Sequence, residues 1–337
     1  MNKKGIKNPL LSKWMSSSNM YVFIATLLIA IAFSLASENF LTPYNIFNVT
    51  RTAGLYIFIA LGQAFIISLG GSNLALGQLG GLATIVSGYC MQMLGFGILP
   101  GVLIALATGI LAGFINGILI IKLKLSAFIV TLSTQFIYAG LITGISEGFP
   151  FTELPEGFTY IGSESIGGVI PHIFTLAVIA VVVLWYVFRY TTLGRRYLAT
   201  GGNIEAAKMA GVKTDSIILL GHMASGFFAA VAGLLWTSRM AAAQPSTGKE
   251  WMLISFAVAV IGGTGIKGGT ISPIALITSG ILMVMIKNGL VLLNTNVYYE
   301  QTYLGLIILL AISLDSIRPL FAEWKLKRAL HKENKAS

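Results

Sequence analysis

The chain has 337 residues, of which 55% are hydrophobic and only 10% are charged, and its formal net charge is +10. About a quarter of the residues in an ordinary soluble domain are charged, so the composition excludes a soluble globular fold. The positive charge does not indicate nucleic-acid binding, because the Lys and Arg residues are scattered over loops rather than gathered on one face.

Charged residues are missing from stretches long enough to cross a bilayer, which takes about 20 mostly apolar residues. None occurs between Lys13 and Glu38, or from Thr52 to Ile121. The pattern predicts an all-α polytopic membrane protein, because a membrane β-barrel would show short alternating segments instead. About ten transmembrane helices are expected, near residues 20–37, 53–69, 74–94, 98–121, 126–146, 169–188, 216–237, 252–266, 271–293 and 302–317.

The first apolar run follows four lysines and ends in a small-x-small pattern at Ser34-Leu35-Ala36, as a secretory signal would. The run is long for a signal core and further spans follow it, which favours an uncleaved first helix. The predicted organisation is an N-terminal segment at 1–19, a transmembrane domain at 20–317 and a tail at 318–337.

The distribution of basic residues predicts the orientation. With the N-terminus in the cytoplasm, all but four of the 22 Lys and Arg residues fall in cytoplasmic segments. Arg51, Arg239 and Lys249 fall outside, and Lys287 lies within the ninth span. Because cytoplasmic loops are enriched in Lys and Arg, both termini are expected in the cytoplasm and the chain in the cytoplasmic membrane.

Two loops are long enough to do more than connect spans. Residues 147–168 contain four glutamates and no Lys or Arg, and are expected outside. Residues 190–215 are basic and are expected inside; within them the segment 203–212 predicts a short amphipathic helix. Asn203 suits its N-cap and Gly211 its stop.

Glycine-rich motifs recur in the two halves of the chain. Gly-Gly-Ser at 70–72 resembles Gly-Gly-Thr at 262–264, and Asn-Gly-Ile at 116–118 resembles Asn-Gly-Leu at 288–290. Spans three and eight run in opposite directions in the predicted topology. Inverted repeats with glycine-broken helices are typical of transporters, so an inverted internal repeat is a hypothesis here.

The segment GGSNLALGQ, residues 70–78, joins a glycine break to three polar side chains at the start of a span. Backbone groups freed by such a break must be buried in protein or line a water-filled path. The alternative is a simple tight turn at the surface. Candidate residues of a solute pathway are therefore Ser72, Asn73, Gln78, Gln63, Asn116, Thr131, Gln135, Thr264 and Asn288, each of which has an interhelical hydrogen bond as its alternative role.

Catalytic and energy-coupling motifs give no support to an enzyme. Gly-Ile-Ser-Glu-Gly at 144–148 matches a nucleophile elbow around Ser146, but follows an apolar helix rather than a strand. No phosphate-binding P-loop and no metal-ligand spacing occurs. No acidic residue is placed in mid-membrane, which disfavours a proton-driven secondary carrier.

The ordered motifs as a set resemble those of sugar-type permease subunits of binding-protein-dependent ABC importers, of which ribose permeases are familiar members. The resemblance runs from residue 40 to Asp315. It rests on the segments FLTPYNIFNVTR (40–51), GGSNLALGQ (70–78), NGILI (116–120), FIVTL (128–132), GRRYLATGGNIEAAKMAGV (194–212), VIGGTGIKGG (260–269) and NGLVLL (288–293), with Arg239, Pro245 and Gly248.

The resemblance implies a permease with no cofactor of its own, a second permease subunit, a cytoplasmic ATP-binding subunit and an external substrate-binding protein. It also implies that the 203–212 helix contacts the ATPase, through Asn203, Glu205, Ala206, Ala207 and Gly211. A monosaccharide such as ribose is the expected solute; a nucleoside, an autoinducer or a branched-chain amino acid is the alternative. The chain departs from the family pattern at Asn73, where Asp is usual, and at 251–255, which lacks the usual acids.

Overall fold

The computed structural model describes residues 18–293 and positions 295, 299, 302, 303, 305, 306 and 309. Within that part the chain is almost entirely helical. In chain order the elements are α1 (Ser18–Ala36), α2 (Pro43–Ile67), α3 (Leu76–Gln92), α4 (Ile98–Leu123), α5 (Ala127–Ser146), α6 (Tyr160–Ser163), β1 (Ser165–Ile166), β2 (Ile170–Pro171), α7 (His172–Tyr190), α8 (Thr192–Gly202), α9 (Ile204–Met209), α10 (Thr214–Met240), α11 (Trp251–Ile261) and α12 (Pro273–Leu292).

Six of the described helices are long and apolar enough to cross a membrane: α2, α4, α5, α7, α10 and α12. This confirms a polytopic helical membrane protein. The predicted tenth span, 302–317, falls largely outside the described residues, as do the N-terminal segment up to residue 17 and the tail 318–337.

Helix α2 is the centre of the bundle. Its most apolar window is 83% buried, against 28% for α4, α5 and α7, whose outer faces are left for lipid. It packs against α10, α11, α12 and α7. A helix enclosed by neighbours needs apolar residues all round. Ile57, Ile59 and Leu61, which point to more than one face of α2, are all buried.

Glycines set the close approach of α4 to α10. Gly109 and Gly113 face the backbone carbonyls of Gly226 and His222, and a β-carbon at either glycine would overlap those oxygens. Small residues four apart let helix backbones pack directly. Gly109 and Gly113 therefore let α4 pack directly against α10.

Two predicted helix boundaries were wrong. Helix α2 begins at Pro43, ten residues before the predicted start, because Thr42 caps it by accepting a hydrogen bond from the Asn45 amide and proline suits the first helical position. Helix α11 ends at Ile261 rather than at 266, because Gly263 adopts a left-handed φ of 79°. It is the shortest of the predicted spans in the described part of the chain.

The two long loops are both structured. Residues 147–168 form a turn, the short helix α6 and strand β1, which pairs antiparallel with β2; Phe151 also forms a bridge with Ala243. The basic loop contains the predicted short helix as α9, and a further helix, α8, that the sequence analysis did not predict. These elements place α8 and α9 at one end of the bundle.

Candidate functional site

The break between α2 and α3 is held by hydrogen bonds to neighbouring helices. Asn73 is fully buried; its Nδ2 donates to Ser225 Oγ on α10 at 2.9 Å, and its Oδ1 accepts from the Ala75 amide at 3.0 Å. The Leu74 amide donates to Thr131 Oγ1 on α5 at 3.1 Å. Asn73 and Ala75 are thus buried, while Gly70 is exposed and Gly71, Ser72 and Leu74 are half-buried.

Thr131 joins the same cluster from α5. Its hydroxyl donates to the carbonyl of Ala127 at 2.7 Å and lies 3.3 Å from the carbonyl of Ser72. The structure therefore brings together Ser72, Asn73 and Thr131. The polar side-chain atoms of Asn73 and Thr131 are hydrogen-bonded to other parts of the protein. These two residues therefore hold the break against α5 and α10.

Four other candidate residues hold buried polar atoms that have no hydrogen-bond partner among the described residues. Leaving such an atom unpaired costs about 1–3 kcal/mol, so each one needs an account. Three of them lie on separate helices and the fourth lies in a loop. The atoms are Gln63 Oε1 on α2, Asn116 Nδ2 on α4, Gln135 Oε1 on α5 and Thr264 Oγ1 after α11.

Asn116 sits in a second buried polar cluster. The Tyr138 hydroxyl lies 3.0 Å from both Asn116 Oδ1 and the Ala112 carbonyl. His222 of α10 packs its backbone against Gly113 nearby, and its Nδ1 has no partner within the described chain. Gln78 is half-buried on α3. The candidates thus form separate clusters rather than one continuous site.

Asn288 lies at the opposite end of the bundle from α9. It exchanges two hydrogen bonds with Asn45: Asn288 Nδ2 donates to Asn45 Oδ1 at 2.8 Å, and Asn45 Nδ2 donates to Asn288 Oδ1 at 2.9 Å. This pair joins α12 to the start of α2. An interhelical hydrogen bond, the alternative role given to such residues, is therefore observed at this position.

A cavity of about 290 Å³ opens beside this pair, between α2, α10 and α12. We name it the arginine cavity after Arg239, one of its lining residues. Thr52, which lines the cavity on α2, lies about sixteen residues before Ser68, or about 24 Å along the helix axis. Its polar and aromatic lining residues are Asn48, Thr52, Tyr56, Trp236, Arg239, Lys287 and Asn288.

Arg239 lines the arginine cavity and Arg51 lies next to it, and among the described residues neither guanidinium forms an ion pair with a carboxylate. Arg239 Nη1 donates to Thr52 Oγ1 at 2.9 Å and its guanidinium lies 5.7 Å from the centre of the Trp236 ring. Arg51 Nη2 donates to Asn48 Oδ1 at 2.7 Å. In the described part of the chain the one ion pair joins Lys287 to Glu250, at 3.5 Å.

Sequence analysis missed this cavity. Arg51 and Arg239 were placed as external residues and taken as exceptions to the charge distribution. Arg51 lies in α2, before the predicted start of that span, and Arg239 lies in the last turn of α10.

At the other end of the bundle, glycine-rich segments from three parts of the chain meet. The Gly269 amide donates to the Ser68 carbonyl at 2.8 Å. A β-carbon at Gly201 would overlap that same carbonyl, and one at Gly268 would overlap the Gly201 carbonyl and lie 3.0 Å from the Gly70 amide nitrogen. We call Ser68, Gly70, Gly201, Gly268 and Gly269 the glycine junction.

The glycine junction ties α8 to the end of α2. Tyr197, on α8, is almost fully buried, and its hydroxyl donates to the Phe65 carbonyl at 2.8 Å. Burial raises the pKa of the Tyr197 phenol well above its ordinary value, so the hydroxyl stays protonated and able to donate. Gly268 and Gly269, which follow the second glycine-rich motif, thus lie in backbone contact with Ser68 and Gly70 at the first.

Helix α9 follows the glycine junction immediately. Asn203 caps it, as predicted: its Oδ1 accepts from the Ala206 amide at 2.9 Å, and Gly211 ends the turn with a φ of 80°. Ala207 faces the protein and is buried, while Glu205 and Ala206 are exposed. Met209 is 84% exposed, an unusual position for a large apolar side chain.

The nucleophile-elbow match has no catalytic geometry. Ser146 is the last residue of α5; its hydroxyl donates to the Ile142 carbonyl at 2.7 Å and accepts from the Gly148 amide at 3.2 Å. His172 stacks beside Tyr160 instead, with ring centres 5.5 Å apart. Among the described residues no group of His, Cys, Asp and Glu is placed to hold a metal ion.

Comparison with known proteins matches residues 45–312 to the family described as branched-chain amino acid transport system / permease component. The ribose import permease protein of Bacillus subtilis is 33% identical, over 87% of this chain and 91% of that protein. The galactose/methyl galactoside import permease protein of Salmonella typhimurium is 31% identical, over 90% and 95%. The D-allose transport system permease protein of Escherichia coli is 32% identical, over 88% and 90%. No solved structure matches significantly.

Proposed function

Because this chain belongs to the branched-chain amino acid transport system / permease component family and is the permease subunit of an ABC importer, we propose that it imports a monosaccharide. The observation that carries the proposal is the similarity to ribose, galactose and allose permeases over most of the chain. The chain itself is not an enzyme, and ATP is hydrolysed on a separate subunit. A nucleoside, an autoinducer or a branched-chain amino acid is the less favoured solute.

The proposed topology has ten spans, with α8 and α9 in the cytoplasm and the arginine cavity facing outside. The distribution of Lys and Arg supports it, since all but four of 22 lie on the cytoplasmic side of this arrangement. Both termini are then cytoplasmic. Single cysteines at positions 156 and 205, in a chain with Cys90 replaced, test it: impermeant thiol reagents applied to intact cells should label position 156 and leave 205 unlabelled.

We propose that α9 is the docking helix for the ATP-binding subunit. Ile204 and Met209 are exposed apolar side chains on a helix whose surroundings are charged, which suits a short helix seated in a groove on a partner. Asn203 caps the start of α9, and Gly211 ends the turn that follows it. Ala206 is exposed and small, so a partner surface has room to approach the helix closely. Ala207 supports the helix from the protein side.

We propose that the glycine junction transmits to the membrane helices the movement that ATP hydrolysis produces in the ATP-binding subunit. It joins Gly201, near the end of α8, to the end of α2 and to the loop after α11, all through backbone atoms. A displacement of α9 therefore acts on both glycine breaks together. The two glycine-rich segments are the core of the inverted repeat that we propose for the halves of the chain.

The solute pathway is proposed to run from the arginine cavity, past the buried polar clusters, to the glycine breaks. Gln63, Asn116, Gln135 and Thr264 support it, because each presents a buried polar atom that the described chain leaves unpaired. Such atoms suit contact with a polar solute, water or a second permease subunit. We propose that two permease subunits together enclose the pathway, as a homodimer or a heterodimer.

The test is reconstitution of this chain with its ATP-binding subunit and its substrate-binding protein in proteoliposomes. Radiolabelled ribose, galactose and allose are offered in turn, and uptake is measured with and without internal ATP. The proposal expects ATP-dependent accumulation of at least one of these sugars. Accumulation of leucine or of a nucleoside, with none of the sugars, would contradict the monosaccharide assignment.

A further inference from the structure

We propose that the arginine cavity is the receiving site for the solute on the binding-protein side, and that Arg239 hydrogen-bonds two adjacent hydroxyl oxygens of a neutral sugar there. The inference rests on the proposed function and deepens it. No residue of this cavity was among the candidates for the solute pathway except Asn288.

Most N–H donors of the Arg239 guanidinium are not hydrogen-bonded to the described part of the protein. A guanidinium carries five N–H donors in a planar fork, and within the described part of the chain Arg239 directs one hydrogen bond to protein, the 2.9 Å bond to Thr52. The side chain is half-buried. Arg239 lies in the last turn of α10, on the side of that helix that faces α2.

The guanidinium is also held in place. It lies over the Trp236 ring, and that ring packs edge-on against Trp251 with centres 6.1 Å apart. The Thr52 bond fixes it from the α2 side. Its orientation is therefore set before any solute arrives, which lowers the entropy lost on binding.

The chemistry of the lining selects for acceptor oxygens. Arg239 offers donors, the Asn288 amide is committed to Asn45 in both directions, and Asn48 Oδ1 already accepts from Arg51. No carboxylate is among the described residues that line the cavity. A ligand that presents hydroxyl oxygens to the guanidinium fits this surface, and its own hydroxyl hydrogens remain free for water.

The volume of the arginine cavity and the need to release the solute both favour a small neutral solute over an anion. The volume of about 290 Å³ is at the lower end for small-molecule sites, which suits a single monosaccharide. A carboxylate would pair with the guanidinium through two charge-assisted hydrogen bonds. A translocation path needs contacts that bind the solute and then release it, so the weaker bonds to neutral hydroxyls are the better match.

The experiment uses the reconstituted importer with saturating loaded binding protein, and measures labelled sugar accumulated per ATP hydrolysed. The sugar is whichever of ribose, galactose and allose the wild type transports best. Arg239→Leu should lower this ratio at least about tenfold, the cost of one charge-assisted hydrogen bond, while stimulated ATP hydrolysis persists. Arg239→Gln retains two N–H donors, so its ratio should lie between those of the wild type and of Arg239→Leu. Arg195→Gln, an exposed arginine near α9, is the matched control and should keep the wild-type ratio.

Three results overturn the inference. A normal ratio in Arg239→Leu, or in Arg239→Gln if the leucine variant does not reach the membrane, removes Arg239 from the solute's path. A Thr52→Val variant that reproduces the full loss shows that the guanidinium is a strut between α2 and α10. A wild type that accumulates none of the sugars contradicts the proposed function itself, and so is distinct from the first two.

Discussion

Replacing Gly201 by alanine should uncouple ATP hydrolysis from transport. The added β-carbon would overlap the Ser68 carbonyl and lie 2.9 Å from the Gly269 amide nitrogen, and all of these are backbone atoms that cannot rotate away. The junction must open, and the 2.8 Å bond from the Gly269 amide to Ser68 weakens with it.

The size of the effect follows from three contributions. Overpacking a tight contact costs about 2 kcal/mol, and a weakened backbone hydrogen bond adds about 1 kcal/mol. Alanine recovers about 1 kcal/mol over glycine within helix α8. The net cost of about 2 kcal/mol corresponds to a roughly thirtyfold shift away from the closed junction.

The assay compares uptake per permease molecule and ATP hydrolysis in proteoliposomes, at matched membrane abundance. Gly201→Ala should bind the ATP-binding subunit and hydrolyse ATP, while sugar uptake falls at least about tenfold. Gly202→Ala is the control, since its β-carbon would meet only the Gly269 α-carbon, at an ordinary 3.8 Å. Equal uptake in the two variants would refute the junction as the route of coupling.

Met209→Glu should abolish co-purification of the ATP-binding subunit, because it puts charge where a large apolar side chain is 84% exposed; an intact complex would contradict docking through α9. Asn73→Leu should reduce both membrane abundance and transport per molecule, since it removes the 2.9 Å bond to Ser225; unchanged uptake would show that the break needs no such tie. Ser146→Ala should leave uptake near the wild-type level, because the hydroxyl only bonds its own helix and the following turn; loss of uptake at normal abundance would revive a role for that serine.

Local signals in the sequence predicted much of the helical structure. The predicted span at 126–146 is helix α5, Ala127–Ser146, because Ser126 provides a recognisable cap and the apolar run is unbroken. The predicted cap at Asn203 was also confirmed, because its side chain accepts a hydrogen bond from the Ala206 amide. The start of α2 was missed because the polar residues before Thr52 hid a Thr-Pro cap, which an apolar-run criterion does not detect.

The candidate site was less accessible to sequence reasoning. Asn73 was singled out for its place beside the glycine break, but its partner Ser225 lies 152 positions away, and no local pattern connects the two. Arg239 and Thr52 likewise meet only because α2 and α10 pack side by side. The glycine junction depends on backbone contacts between three distant segments, so the paired motifs suggested a repeat but not its meeting point.

The most direct test of the account is the coupling of solute to ATP in the fully reconstituted importer. Binding protein loaded with one of the three sugars is added to proteoliposomes that contain this chain and its ATP-binding subunit. ATP hydrolysis should rise on addition of the loaded binding protein, and labelled sugar should accumulate against its gradient in step with hydrolysis. Sugar uptake that continues at the same rate without ATP would contradict the account, because the chain would then act as a carrier on its own.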